Sequence, residues 1–321
     1  MRLGKYRGMQ RMSNERGCLS MCALDHRGSL QKMLKEGLGR EPGYQDMVDF
    51  KFDICRALSP HCSAILLDPV YGAGQAIASR VFSGKAGLLV SLEETGYEGS
   101  GEARLSRSLE GWNAAKVRRM GADGAKLLLY YRPDVAVAGR QRALVSELAE
   151  RCNEQELAFV VEPVGYAIGD ESTAGRYAQV KPEVVIKTAE ELTPLGIDIL
   201  KAEFPVDAKV EKDESRMLEF CKRLDGASKV PWIILSGGVG FRFFVRQVEI
   251  ACRAGASGFL GGRALWQEAT SMASRERRQE FFQTTVVDRL RVLMAIADAY
   301  ATPWHKRSEA PSIVDGWYRA Y

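Results

Sequence analysis

Short apolar runs alternate with longer amphipathic stretches over most of the chain. The apolar runs show little polar alternation, which is typical of parallel strands covered on both faces. Eight of them are predicted strands, at residues 19–25, 63–68, 86–92, 124–131, 158–163, 197–204, 231–237 and 256–261. The amphipathic segments predict helices between the strands, including residues 44–59, 106–121, 139–154 and 241–255.

This order of elements predicts an α/β fold. Eight strand-then-helix units in 321 residues fit a closed (β/α)8 TIM barrel better than an open sheet. We expect one domain, because no linker rich in Pro, Gly or Ser divides the chain. It comprises an N-terminal lead, a barrel core and C-terminal helices with a tail, at residues 1–16, 17–265 and 266–321. Pro182 is predicted at the first turn of a helix that runs toward Leu195.

The end of the chain predicts an extension of the barrel. A helix-compatible stretch follows Leu265 and reaches about Tyr300. The last twenty or so residues contain Trp304, Trp317 and Tyr318. Large aromatic side chains in a terminal segment indicate that the tail docks on a protein surface rather than being disordered.

Charge and composition narrow the functional classes. The chain has 45 basic and 41 acidic residues and a net charge of +4, with the two signs mixed along its length. This pattern does not indicate nucleic-acid binding, whereas phosphorylated metabolites remain compatible with it. An apolar signal core and a run of 18 apolar residues are both absent, so we expect a cytoplasmic protein with no membrane contact. Seven scattered cysteines indicate reduced thiols.

Metal and nicotinamide chemistry are disfavoured. The three histidines, at positions 26, 61 and 305, show no metal-ligand spacing, so we expect neither a metal site nor an organic cofactor. Gly72 and Gly74 follow a predicted strand and imitate the start of a dinucleotide-binding loop. The third glycine position of that motif is Ile77, which argues against such binding.

Two lysines in apolar strands point to covalent carbonyl chemistry. Lys126 and Lys201 lie in predicted strands, and Glu162 ends the strand between them. Lys126 lies nearer the start of its strand, so the sequence leaves its height in a barrel open. A buried lysine loses hydration unless it is paired or neutral, and a neutral amine can attack a ketone to form a Schiff base. If the three strands are neighbours, the three side chains can point into one cavity. A buried structural Lys–Glu pair is the alternative, and Glu203 could replace Glu162 in proton transfer.

Polar residues also mark the carboxyl ends of the predicted strands, where TIM barrels place their functional groups. They are Asp25, Asp68, Glu93, Glu162, Lys201, Glu203, Ser236 and Arg263. Glycines accompany the last two, in residues 236–240 and 260–263. Loops after strands 7 and 8 commonly bind phosphate, because glycines let backbone N–H groups approach the ligand and arginine supplies charge. Tight turns alone are the alternative explanation for these glycines.

These segments together resemble the class I tagatose 1,6-bisphosphate aldolase family, one of the Schiff-base aldolase barrels. The matching segments follow in order and cover most of the chain: ALDHRG (23–28), SAILLDPVYG (63–72), GLLVSLEETGY (87–97), GADGAKLLLYY (121–131), DILKAEFPV (198–206) and GFLGGRALW (258–266). The resemblance implies cleavage of a ketose 1,6-bisphosphate, with D-tagatose 1,6-bisphosphate favoured, to dihydroxyacetone phosphate and glyceraldehyde 3-phosphate. The sequence does not reveal the stereochemistry at C3 and C4, so the fructose bisphosphate stays open. The resemblance further implies a phosphorylated ketose as the ligand and no cofactor. Independently of the resemblance, we expect a homo-oligomer, because symmetric association is the default among soluble proteins.

The resemblance also implies roles for individual residues. Lys201 corresponds to the Schiff-base lysine, and Glu162 and Lys126 match other catalytic residues. The substrate-binding residues would be Asp25, Arg27, Ser236, Gly237, Gly238, Gly262 and Arg263. His26 is a further candidate because it directly follows Asp25 at the barrel mouth, and a surface histidine without a substrate contact is the alternative. The family usually has glutamine where this chain has His26.

Two alternatives remain open. Residues 162–170 and 230–239 look closer to the related sulfofructose 1-phosphate aldolases, which would release sulfolactaldehyde in place of glyceraldehyde 3-phosphate. A barrel of this kind could also be a noncatalytic regulator that binds a phosphorylated metabolite. The presence of both lysines together with Glu162 argues against the regulator.

Overall fold

In a computed structural model the protein forms a closed barrel of eight parallel strands surrounded by helices. The structure describes residues 1–173, 175–319 and 321. The strands follow chain order around the barrel, and the last one pairs with the first. They are β1 (Leu19–Leu24), β2 (Ala64–Leu67), β3 (Gly87–Ser91), β4 (Gly124–Tyr130), β5 (Ala158–Val164), β6 (Ile199–Ala202), β7 (Trp232–Leu235) and β8 (Gly258–Gly261). The predicted strands and the TIM-barrel fold are confirmed.

Side chains alternate between the barrel interior and the surrounding helices, as the two-residue period of a strand requires. In β1, Leu19, Met21 and Ala23 belong to the inner apolar cluster. Cys22 and Leu24 belong to the larger cluster that includes the helices. All five are buried, which explains why such a strand shows no polar alternation in sequence.

Twelve α-helices are found in the described residues, and most of them cover the outside of the barrel. They are α1 (Leu3–Met12), α2 (Gly28–Leu38), α3 (Tyr44–Leu58), α4 (Ala73–Ala78), α5 (Ala114–Arg119), α6 (Ala138–Glu154), α7 (Arg176–Leu192), α8 (Glu214–Ala227), α9 (Phe241–Ala254), α10 (Arg263–Trp266), α11 (Arg275–Phe281) and α12 (Val287–Tyr300). In the part of the chain that is described, none of these helices is long and apolar enough to cross a bilayer. All seven cysteines are buried free thiols.

The N-terminal end of the barrel is closed by α1 and by the segment after α12. Met9 and Met12 of α1 and Trp304 are buried in the inner apolar cluster. The Tyr6 ring meets the Trp304 ring edge-on, with 4.9 Å between their centroids. The segment predicted only as a lead therefore contains a helix that covers the barrel, and the barrel opens to solvent at the C-terminal ends of its strands.

Some helix predictions were wrong in extent. Pro182 lies in the second turn of α7, because that helix already begins at Arg176. The helix predicted at residues 106–121 is only Ala114–Arg119, since the preceding segment instead forms antiparallel bridges, Glu93 to Ser108 and Glu98 to Leu105.

The C-terminal extension is also more broken than predicted. The stretch after residue 265 forms short turns and then α11 and α12, which are joined by a π-helical segment, Phe282–Val286. The prediction that the tail docks on the protein is correct for Trp304, whose side chain is buried at 2% exposure. Trp317 and Tyr318 remain 38% and 63% exposed.

Candidate active site

A cavity of about 610 Å³ opens at the C-terminal ends of the strands. Its lining contains most of the residues that were predicted from the sequence as site residues: Asp25, His26, Arg27, Glu162, Lys201, Ser236, Gly237, Gly262 and Arg263. TIM barrels place their functional groups at this end, on the strand ends and the βα loops. The cavity is therefore the candidate active site.

The alternation of side chains along the strands explains why charged groups meet at the cavity floor. Asp25 continues the inward series of β1 two residues after Ala23, and Lys201 does the same in β6 two residues after Ile199. The strands β4, β5 and β6 are neighbours, as the sequence analysis assumed. Consequently Lys126, Glu162 and Lys201 converge near the barrel axis.

The ammonium of Lys126 is surrounded by three carboxylates. Its Nζ lies 2.7 Å from Oδ2 of Asp25, 2.8 Å from Oε1 of Glu93 and 2.8 Å from Oε2 of Glu162. Burial lowers the pKa of this amine, but Asp25, Glu162 and Glu93 outweigh burial and hold the pKa well above its usual value. Lys126 is therefore a fixed positive charge that organises the carboxylates.

Lys126 lies beneath the cavity rather than in its wall. Its backbone pairs with Val160, whereas Glu162 pairs with Leu128, so Lys126 starts two residues lower in the barrel than Glu162. Its side chain has no solvent exposure. The sequence also placed Lys126 nearer the start of its strand. Its side chain does not line the cavity with Glu162 and Lys201, although the three groups do meet.

Glu162 links the two lysines. Its Oε1 lies 2.8 Å from Nζ of Lys201, while its Oε2 faces Lys126. Burial would raise the pKa of the Glu162 carboxyl, but the ammonium groups of Lys126 and Lys201 outweigh burial and lower the pKa. Glu162 is therefore an ionised carboxylate next to the amine of Lys201. Such a carboxylate can accept a proton from a neighbouring group and return it.

Glu203 was the alternative to Glu162. It lines the cavity, but its Oε2 accepts a 2.7 Å hydrogen bond from the backbone N–H of Gly165. Its ion pair is with Lys181, at 3.6 Å, rather than with Lys201. The geometry therefore favours Glu162 as the carboxylate next to Lys201.

Glu93 is a site residue that the sequence analysis left without a role. One oxygen contacts Lys126, and the other accepts a 3.1 Å hydrogen bond from the backbone N–H of Leu128. The available signal was the strand period, because Leu89 faces the barrel interior and positions 91 and 93 continue that face.

The mouth of β1 contributes Arg27 and His26. Arg27 is buried and donates a 2.5 Å hydrogen bond to the backbone oxygen of Glu93, so it connects the loop after β1 to the loop after β3.

The His26 ring meets Trp266 edge-on, with 5.0 Å between the ring centroids. Its Nδ1 is buried and has no hydrogen-bond partner among the described residues. Burial lowers the pKa of His26 to about 4, against the opposing effect of Asp25, so this imidazole is neutral near neutral pH.

The loops after β7 and β8 form the glycine-rich side of the cavity. Gly237 and Gly238 have φ values of +55° and +78°, a conformation that favours glycine. A Cβ on Gly238 would lie 3.0 Å from Cζ of Arg263. The loop leads into α9, whose N-terminal end adds a positive dipole. This side of the cavity is suitable for binding an anion. The glycine loop leaves its backbone N–H groups accessible, and the helix N-terminus and Arg263 add positive charge.

Gly238 and Asp68 lie outside the cavity lining. Gly238 supports Arg263 from behind, as its close approach to that side chain indicates. Asp68, one of the polar strand ends, has no solvent exposure and forms an ion pair with Lys51. Its Oδ1 also accepts backbone hydrogen bonds from Val70 and Tyr71, at 2.9 and 2.8 Å. Asp68 is thus fully engaged away from the cavity.

Sequence comparison connects this site to known enzymes. Residues 19–268 match the family model of the DeoC/LacD family aldolases. The chain is 31% identical to tagatose 1,6-diphosphate aldolase 2 of Streptococcus agalactiae serotype III (strain NEM316), over 94% of this chain and 98% of the relative. It is 34% identical to tagatose 1,6-diphosphate aldolase 1 of Enterococcus faecalis (strain ATCC 700802 / V583), over 82% of this chain and 84% of the relative.

Solved structures share the fold. An archaeal fructose 1,6-bisphosphate aldolase matches with a TM-score of 0.61 at 19% identity, over 91% of this chain and 99% of the other. Fructose-bisphosphate aldolase of Plasmodium falciparum matches with a TM-score of 0.71 at 14% identity, over 93% and 95%. Because the family model spans most of the barrel and the curated relatives align over most of their length, this chain belongs to the DeoC/LacD family and is an aldolase, a carbon–carbon lyase.

Proposed function

We propose that the protein is a class I aldolase that cleaves a ketose 1,6-bisphosphate through an imine on Lys201, without a metal ion. The observation that carries this proposal is the position of Glu162 between two lysines, with Oε1 2.8 Å from Lys201 at the floor of an open cavity. A nucleophilic amine needs a nearby base to become neutral before it attacks a carbonyl. Glu162 is in the position to serve as that base.

The first half of the reaction forms the iminium ion, which later accepts the electron pair of the broken bond. Lys201 transfers a proton to Glu162, and the neutral Nζ attacks C2 of the ketose. Glu162 returns that proton to the hydroxyl group of the resulting carbinolamine, which leaves as water, so an iminium ion and an ionised Glu162 remain. Lys126 keeps its proton throughout, because three carboxylates surround it. Its charge also keeps Asp25 and Glu162 ionised.

The second half breaks the carbon–carbon bond. Glu162 takes the proton of the C4 hydroxyl while the C3–C4 electron pair moves to the iminium, which leaves an enamine and an aldehyde. Glu162 gives this proton to C3, which restores the iminium, and addition of water releases dihydroxyacetone phosphate and free Lys201. The glycine loops and Arg263 hold the C1 phosphate and keep the intermediate in place.

D-Tagatose 1,6-bisphosphate is the proposed substrate, because the two curated relatives above bear that activity in their names. The products would be dihydroxyacetone phosphate and glyceraldehyde 3-phosphate. Lys32 also lines the cavity and offers a second cation for the phosphate at C6. We place the reaction in the cytoplasm, because free buried thiols agree with a reducing compartment.

The imine is tested by borohydride reduction in the presence of dihydroxyacetone phosphate, followed by peptide mass spectrometry. We expect a stable adduct on the peptide that contains Lys201 and none in Lys201→Ala. Lys181→Ala is the matched control, since Lys181 is a second lysine near the cavity that pairs with Glu203. It should still form the adduct.

Other outcomes would each change the assignment. An adduct on Lys126 would exchange the roles of the two lysines. A folded protein that binds dihydroxyacetone phosphate without an adduct or turnover would be a noncatalytic sensor. Once the adduct is found, turnover of tagatose and fructose bisphosphates beside sulfofructose 1-phosphate identifies the substrate, and preference for the sulfonate would reject the bisphosphate.

A further inference from the structure

We propose that Lys51 is a positioning residue for this active site, although it does not line the cavity. Lys51 lies on α3, outside the barrel, and its side chain is 1% exposed. Its ammonium reaches inward to the end of β1. There it contacts backbone oxygens of the segment that carries Asp25, in addition to its partner carboxylate, Asp68.

The contacts of Lys51 lie on both sides of Asp25. Its Nζ donates hydrogen bonds to the backbone oxygens of Leu24 and His26, the second at 2.9 Å. These are the residues immediately before and after Asp25. Lys51 therefore fixes the peptide groups that determine where the Asp25 carboxylate points.

Asp68 anchors the ammonium of Lys51. Its Oδ2 pairs with Lys51, and its Oδ1 accepts the backbone N–H groups of Val70 and Tyr71. Asp68 directly follows the end of β2. Through these contacts one buried ion pair connects a helix with the ends of two adjacent strands.

The need for such a connection follows from where β1 ends. The strand stops at Leu24, so residues 25–27 no longer have the ladder hydrogen bonds that hold the strand. Asp25 must nevertheless stay 2.7 Å from Lys126, which in turn holds Glu162 beside Lys201. A displacement of about 1 Å in such an arrangement can cost roughly a hundredfold in rate.

Stability alone is a poor reason for this pair. A buried ion pair costs desolvation energy, and apolar residues of similar size often replace one without loss of stability. The chain contains a comparable pair at the other end of the barrel, where Nζ of Lys5 lies 2.8 Å from Oδ2 of Asp198 and both side chains are buried. Lys5 contacts no segment of the candidate active site in the described residues, so it serves as the matched control.

The experiment compares Lys51→Met with Lys5→Met in the full chain, and it rests on the imine function proposed above. Unfolding in urea gives stability, steady-state kinetics with tagatose 1,6-bisphosphate give kcat and KM, and borohydride trapping with dihydroxyacetone phosphate gives the rate of imine formation. Folded Lys51→Met should lose about tenfold or more in kcat and in trapping rate, with little change in KM. Lys5→Met should lose stability only.

Equal kcat and trapping rates in the two folded variants would overturn the positioning role. If Lys51→Met does not fold, Asp68→Asn replaces it, because the amide oxygen can still accept the Val70 and Tyr71 N–H groups while the anchor charge is removed. A smaller loss of kcat in Asp68→Asn supports the inference, and an unchanged kcat rejects it. Absence of the Lys201 adduct in the unmodified protein would instead reject the proposed function itself.

Discussion

The ammonium of Lys126 lies 2.8 Å from Oε2 of Glu162, and this contact leaves only the other carboxylate oxygen, Oε1, facing Lys201. The carboxylate is therefore held in one orientation from beneath the cavity floor. A residue without solvent exposure thus determines the orientation of a carboxylate that lines the cavity.

Removing the charge of Lys126 should destabilise the protein strongly near neutral pH. In Lys126→Met, Asp25 and Glu93 would remain buried without their cation, and we expect a loss of about 3–5 kcal/mol in the free energy of unfolding. The cluster lowers the pKa values of the Asp25 and Glu162 carboxyl groups in the native protein. Its stabilising effect is therefore fully present above the pKa values of these groups in the unfolded chain, near 4. It is lost as pH falls through their lower pKa values in the native protein. In the variant these pKa values rise, and protonation relieves the repulsion.

The difference in stability between the two proteins should consequently shrink on acidification. Urea unfolding of both proteins near neutral pH and at about pH 5 measures it. A difference that stays constant between these conditions would mean that the carboxylates do not depend on Lys126.

Glu162→Gln should affect chemistry far more than binding. The amide keeps the shape of the side chain but cannot accept a proton, so we expect kcat to fall roughly a hundredfold or more with a modest change in KM. Glu203→Gln is the comparison, because Glu203 also lines the cavity but pairs with Lys181. A larger loss of kcat in Glu203→Gln would assign proton transfer to Glu203.

Gly238→Ala should weaken recognition of the C1 phosphate. The new Cβ would lie 3.0 Å from Cζ of Arg263 and shift the guanidinium by a few tenths of an ångström, so we expect KM to rise about threefold. The positive φ adds about 1–2 kcal/mol of backbone strain. Gly121→Ala is the control, since its φ is +89° with open space around it. If both variants raise KM equally, the effect comes from strain and not from Arg263.

Much of the fold was predictable from the sequence because both faces of the strands are buried, which makes most of their residues apolar. The two-residue period of the strands then predicts that Asp25, Glu162 and Lys201 face the barrel interior. The same period predicts that Glu93 faces inward, but a single acidic residue after a strand does not show which cation it contacts. That pairing depends on the register between β3 and β4, where Ser91 lies opposite Lys126.

The residues that sequence analysis misjudged depend on contacts between distant segments. Asp68 has the same position after its strand as Asp25, but Lys51 from α3 neutralises it. The sequence places Lys126 nearer the start of its strand, but how far below the cavity floor it lies depends on strand stagger, which a one-dimensional pattern does not contain. Pro182 illustrates a third limit, since packing keeps α7 helical on both sides of a residue that usually marks a helix start.

His26 makes a further prediction about acid stability. Burial lowers the pKa of its imidazole from 6.5 to about 4. Between these two values the unfolded chain binds a proton that the native protein does not, so the free energy of unfolding falls as pH drops through that window. The contribution is at most roughly 3 kcal/mol. It is fully retained above the unfolded value.

His26→Gln, which replaces the imidazole by an amide that does not titrate, should remove this part of the pH dependence. Comparing the urea unfolding of both proteins near neutral pH and at about pH 5 isolates it, because the other titrating groups are shared. The three histidines of the chain also allow a direct check, since the imidazole NMR signal that disappears in His26→Gln belongs to His26. Titration of that signal near its ordinary value, rather than near 4, would show that the ring is hydrated at the cavity mouth. The ring would then gain charge under mildly acidic conditions, and phosphate binding should strengthen there, because His26 faces the same cavity as Arg263.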